Sequence, residues 1–193
     1  MSDDRVTFYF AYNSPYAFLA NTRIAAELAP YPVAIAYTPV YQPASGTRDF
    51  SSPRMRYMRE DVARFAAAYG LALDPGPFAD TAMACRGFLF ADEAGQGKAY
   101  HDRVYRARWL EGVDLGNEES LAAIAAACGL ERAAFGAATG EGSPQAAALA
   151  RCTAEAEADG VFGFPFFVYR GHKFWGNDRI EWLAREIARH HEG

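Results

Sequence analysis

The run Gly160-Val161-Phe162-Gly163-Phe164-Pro165-Phe166-Phe167-Val168 restricts the fold of this chain more than any other segment. A proline cannot donate to a β-ladder, so Pro165 belongs at a strand start or edge. The irregular Gly-Val-Phe-Gly approach is turn-prone and suits a cis X-Pro bond. The pattern predicts strands over Phe166–Tyr169 and Lys173–Trp175, separated by the hairpin-sized gap Arg170-Gly171-His172. Trp175-Gly176 then leads into Asn177-Asp178, a helix-start signal. Ile180, Leu183, Ala184 and Ile187 supply the apolar stripe of a last helix.

The N-terminal end complements this segment. Val6, Phe8 and Phe10 alternate with Thr7 and Tyr9, a strand signal. Ser14-Pro15 starts a helix, because Ser is a preferred N-cap and Pro is preorganised for the first helical position. Ala17, Ala20, Ile24 and Leu28 follow on one face, and Val33–Tyr37 has the length of a buried strand. The opening is therefore β-α-β, with parallel pairing as the default. Pro39 to Arg54 reads as a loop rich in Pro, Ser, Gly and Thr. Helical periodicity follows, with Met55, Met58, Val62, Phe65, Ala66 and Tyr69 on one face. Further helices are expected near 81–93, 98–111, 118–128 and 131–138. Ser143-Pro144 repeats the cap signature and opens a helix to about Asp159. The order points to an α/β protein, a thioredoxin-like fold with an inserted all-helical domain. The outer parts, 1–42 and 143–193, form one discontinuous domain around the helical insert at 43–142.

Composition narrows the function classes. Apolar residues make up 51% of 193 residues, enough for a sizeable core, and a net charge of -5 argues against a general nucleic-acid surface. No apolar run approaches the roughly 20 residues of a membrane span. No secretory signal is expected ahead of the first strand, and a cytoplasmic location is the default. Cys85, Cys128 and Cys152 are odd in number, far apart and set in Ala-rich helical contexts. They read as small buried hydrophobes, not as a disulfide frame or a metal site. His101-Asp102 and His190-His191 lack ligand spacing to other residues and read as surface, so no metal is expected.

Ser14 carries two readings. As an N-cap it needs no chemistry. As the residue between a strand and a helix N-terminus, it stands where exposed amides and the helix dipole favour an anion. Thioredoxin folds carry their reactive sulfur at this place, yet Ser14-Pro15-Tyr16-Ala17 has no cysteine. Disulfide exchange through a protein dithiol is therefore impossible there. Ser14 is instead suited to donate to a thiolate carried by a ligand, and glutathione is the natural thiol ligand. Phe164-Pro165 is either a simple strand start or a backbone edge for a cysteinyl ligand. Asn177-Asp178 is a helix cap, with Glu181 completing a capping box, and also suits the zwitterionic end of a γ-glutamyl group. Arg54, at the loop–helix junction, is a candidate for a substrate carboxylate. Trp175 and Tyr16 read as packing residues or as the lining of an aromatic substrate site.

Taken together, these positions resemble the 2-hydroxychromene-2-carboxylate isomerases and kappa-class glutathione transferases, within the DsbA-like thioredoxin group. The resemblance covers nearly the whole chain. It runs from the Phe-Tyr-Phe strand and Asn13-Ser14-Pro15-Tyr16 through Tyr57-Met58, Asp61, Arg64, Trp109 and Glu111-Gly112. It closes on Gly160-Val161-Phe162-Gly163, Pro165 and Trp175-Gly176-Asn177-Asp178-Arg179. It implies that Ser14 faces a glutathione sulfur, that Phe164 and Pro165 contact the cysteinyl backbone, and that Trp175, Gly176, Asn177 and Asp178 hold the γ-glutamyl end. It also implies a homodimer. Tyr16, Arg54 and Asp80 fall on the substrate side, where this chain departs from the pattern. The loop Val40-Tyr41-Gln42-Pro43-Ala44-Ser45-Gly46 is short and lacks a Lys, and Asp80-Thr81 replaces the usual Asn-Thr. The expected activity is glutathione-dependent isomerisation of an unsaturated aromatic 2-oxo acid by reversible thiolate addition. Conjugation of an electrophile by a transferase, and thiol binding without turnover, are the alternatives.

Overall fold

A four-stranded sheet in the order β2-β1-β3-β4 organises both ends of the chain. The computed structural model describes residues 4–43 and 51–191. They divide into two compact units, Met1–Val40 with Leu149–Gly193, and Tyr41–Ala148. The sequence boundaries at 42/43 and 142/143 therefore move to 40/41 and 148/149. The second shift has a local cause. Helix α7, Pro144–Ala158, begins inside the helical unit, where Gln145 Nε2 donates to Glu93 Oε2 at 2.9 Å.

In the sheet unit, β1 (Arg5–Phe10) pairs in parallel with β2 (Ala34–Pro39), Val6 opposite Ile35 and Phe8 opposite Tyr37. It pairs antiparallel with β3 (Phe166–Tyr169), Tyr9 opposite Phe166. Strand alternation sends Phe8 to one face, where its ring lies 4.9 Å from Phe167 and 5.6 Å from Tyr37. Tyr9 goes to the other face, packed with Val40, Ala156 and Phe166, so α7 covers that side. Both faces are thus apolar, and Phe8 is fully buried. A side chain of that size contributes roughly 1.5–3 kcal/mol. Helix α1 (Pro15–Leu28) packs against α8 (Ile180–His191), which packs on β3 and β4.

The hairpin between β3 and β4 (His172–Trp175) is tighter than the sequence gap indicates, since Tyr169 pairs directly with His172. Its two connecting residues both have positive φ, Arg170 at 47° and Gly171 at 83°. That is the turn geometry matching the strand twist in a two-residue loop. The helix-start reading of Asn177-Asp178 needs a larger correction. Asn177–Arg179 is a 3-10 turn, capped by Gly176 without a side-chain bond, and α8 starts only at Ile180. Asp178 pairs with Arg179 at 2.6 Å instead of completing a capping box. Gly176 is required here: its φ is 115°, and a Cβ would lie 2.6 Å from Asp178 Oδ1.

In the helical unit, α2 (Pro53–Ala68) starts before the expected loop ends, because Ser52 caps it by accepting from the Met55 amide. Helices α3 (Ala82–Glu93), α4 (Gly97–Leu110), α5 (Glu118–Ala127) and α6 (Arg132–Thr139) pack on one another. Gly87 permits close approach of α3 to α6, since a Cβ there would meet Phe135 Cε2 at 2.6 Å. His101, read from sequence as surface, is fully buried in α4, its ring centroid 4.8 Å from that of Tyr105 and 5.6 Å from that of Phe88, both in edge-on arrangements. Burial holds its imidazole well below the usual value, so it stays neutral. Among the described residues, no helix is long and apolar enough to cross a membrane.

Candidate active site at the head of the first helix

Ser14 has extended backbone angles and caps α1, its Oγ accepting from the Ala17 amide at 3.2 Å. The same hydroxyl donates to the Phe164 carbonyl at 3.0 Å. The Phe164-Pro165 bond is cis, as the turn-prone approach leads one to expect. Residues 150 positions apart therefore meet at the N-terminus of one helix, where the fold concentrates donor groups. The sequence reading leaves both polar groups of the Phe164 backbone open for a ligand. The structure commits the carbonyl to Ser14, whereas the Phe164 amide has no acceptor among the described residues.

The neighbouring strand continues the site. The Gly176 amide donates to the Pro165 carbonyl at 3.1 Å, closing the β3–β4 pairing beside the cis bond. Trp175, at the end of β4, is not a packing residue alone: half its surface is exposed. Its indole rests on Gly163 and makes an edge contact with Phe162 at 4.7 Å. Asn177 is buried and Asp178 exposed, in the 3-10 turn that packs against α1. Tyr16 is half-buried in the first turn of α1.

The remaining substrate candidates lie in the helical unit. Arg54 is exposed in the first turn of α2. Asp80 is engaged: Oδ1 accepts from the Ala82 amide at 2.7 Å and Oδ2 from the Tyr41 hydroxyl at 2.9 Å. Thr81 supplies no cap of its own, so Asp80 does that work for α3. Burial first, then this bond, raises the Tyr41 phenol above its ordinary value. Of the short loop, residues 44–46 lie outside the described residues.

Sequence reasoning missed one supporting pair. Tyr9 donates to Asp159 Oδ2 at 2.7 Å, and Lys173 Nζ donates to the Asp159 carbonyl. Burial, followed by the Asp159 carboxylate, pushes the Tyr9 phenol well above its usual value. It remains a proton donor and anchors the end of α7, from which Gly160 to Phe164 return to the site. Phe164 itself packs against the Tyr9 cluster. The one sequence signal was a polar-tipped residue on a strand with both faces apolar.

A family model described as a DSBA-like thioredoxin domain matches residues 5–188. This chain belongs to that family. It is 30% identical to a 2-hydroxychromene-2-carboxylate isomerase of Pseudomonas putida, over 95% of this chain and 94% of that one. It is 29% identical to the isomerase of that name from Sphingobium xenophagum, over 92% and 95%. A solved structure of a 2-hydroxychromene-2-carboxylate isomerase superposes with a TM-score of 0.84 at 27% identity, covering 96% of this chain and 95% of that one. These relatives all bear an isomerase name.

Proposed function

We propose that this protein is a glutathione-dependent isomerase of an unsaturated aromatic 2-oxo acid, of the 2-hydroxychromene-2-carboxylate kind. The observation that carries this reading is the Ser14 hydroxyl, bonded to the Phe164 carbonyl at the head of α1, in a chain whose relatives bear that isomerase name. The residues present fit a cysteinyl ligand. Ser14 supplies a hydroxyl among the first-turn amides of α1, and the Phe164 amide supplies a donor without a described acceptor. Glutathione, when bound, would supply a nucleophilic sulfur for reversible addition to an activated alkene. The chain's part is to keep that sulfur ionised and oriented. The helix N-terminus favours the anion. Ser14 turns its proton from the Phe164 carbonyl towards the anion, exchanging a neutral hydrogen bond for a charge-assisted one. Trp175, Gly176, Asn177 and Asp178 would hold the γ-glutamyl end, and Tyr16, in the first turn of α1, would lie on the substrate side.

The exchange at Ser14 sets the expected size of its effect. A bond to a charged group is worth roughly 1.5–3 kcal/mol and a neutral one about 0.5–1.5. The difference of about 1–1.5 kcal/mol corresponds to roughly tenfold in thiolate population and rate. Cis–trans interconversion of 2-hydroxychromene-2-carboxylate should therefore require glutathione and fall about tenfold in Ser14→Ala near neutral pH. Ser14→Ala should also lose about 1 kcal/mol of stability as a lost N-cap. Turnover without glutathione rejects the cofactor. A glutathione conjugate as final product rejects the isomerase in favour of a transferase.

A further inference from the structure

We propose that His172, Glu186 and His190 form a binding site for a divalent transition-metal ion, with zinc as the best match. His172 opens β4, and Glu186 and His190 stand one turn apart on α8, which packs on that strand. Linear spacing hides the set, because the third ligand comes from a different element. The three ligand atoms lie within 4.8 Å of one another. One carboxylate oxygen, Glu186 Oε1, is 3.6 Å from His172 Nε2 and 3.3 Å from His190 Nε2. Zinc bonds of about 2.0–2.2 Å place adjacent ligands of a tetrahedral ion roughly 3.3–3.5 Å apart. The two measured separations are therefore already near those of ligands sharing one ion.

The carboxylate is the fixed member. Glu186 keeps only 10% of its side chain exposed, and Arg189 holds its other oxygen, Oε2. Oε1 is left facing the two imidazoles, which are 54% and 34% exposed and open to an entering ion. Two imidazoles and one carboxylate, with a fourth position for water, is a donor set that zinc accepts. Arg170 opposes binding, since its Nη1 lies 3.5 Å from His190 Nδ1. An ion on Nε2 leaves the ring proton on Nδ1, so that contact is given up when metal enters. The bound ion would fasten α8 to the start of β4.

Zinc titrated by calorimetry into tag-free protein should bind at one ion per chain, and cobalt(II) in its place should give the visible absorption of a four-coordinate ion. Outer partners of metal ligands are worth roughly 10–100-fold in affinity, so loss of a direct ligand should cost at least tenfold. That loss is expected in His172→Gln and in His190→Gln, while His191→Gln, whose imidazole faces Asp4 at 3.1 Å, should bind as the unmodified protein does. Imidazole proton resonances of the unmodified protein provide a reading independent of variant folding. Those of His172 and His190 should move on adding zinc, and those of buried His101 should not. Absence of saturable binding, survival of full affinity in both histidine variants, or unmoved His172 and His190 resonances would overturn the site.

Discussion

Gly163 shows how closely one missing side chain is coupled to the candidate site. A Cβ at this position would fall 2.7 Å from Trp175 Nε1 and 3.1 Å from Cε2, too near for either atom to stay. The indole is half-exposed and has room to swing outward, so the backbone need not break. Its edge contact with Phe162 would be lost, and such aromatic pairs are worth about 0.5–1.5 kcal/mol. Gly163→Ala should lower stability by that amount and shift tryptophan emission to the red as Trp175 becomes more hydrated. Trp109 is buried, so the shift isolates the exposed rings. If Trp175 lines the γ-glutamyl pocket, glutathione affinity should fall in the same variant. A melt and an emission spectrum identical to the parent's would mean that the indole does not rest on Gly163.

At the scale of elements, the β3–β4 hairpin depends on a residue that precedes β1. Arg170 occupies the left-handed region at φ 47°, a conformation that costs a non-glycine residue energy. Asp4 offsets this with a two-pronged grip, Oδ1 on Arg170 Nε at 3.0 Å and Oδ2 on Nη2 at 3.1 Å. The same carboxylate accepts from the Tyr169 hydroxyl at 3.1 Å and faces His191 at the end of α8. The Arg170 bonds, ahead of the opposing cost of burial, hold the Asp4 carboxyl below its ordinary value. A depressed carboxyl stabilises the fold above the usual carboxylate range and loses that contribution as pH falls through its folded value. Asp4→Asn should therefore lower the melting temperature at pH 7 and flatten its decline below about pH 5. Equal acid slopes in the two proteins would remove Asp4 from the account.

Over the whole molecule, what could be read in advance was what the chain states locally. The Ser-Pro pairs at 14–15 and 143–144 announce helix caps, and both hydroxyls accept from the amide three residues on. Ser52-Pro53 carries the same signal, masked by a surrounding stretch whose composition reads as loop. The groups that stayed hidden are held by long-range geometry: Tyr9 on Asp159, the apolar cage around His101, and His172 beside Glu186. The cysteines combine both cases. Cys85 is buried as expected, whereas Cys128 and Cys152 are only partly so. Burial pushes the thiols of Cys128 and Cys152 upward, away from the reactive thiolate form. None is among the residues of the Ser14–Phe164 contact, so the proposed thiolate chemistry would take its sulfur from a ligand. A combined Cys85→Ala, Cys128→Ser, Cys152→Ser protein should retain the parent's turnover at saturating glutathione. Alanine at 85 avoids burying a hydroxyl without a partner, and its lost sulfur should cost about 1 kcal/mol or more in the melt. A folded triple variant without turnover would show that the sulfur doing the chemistry belongs to the protein itself.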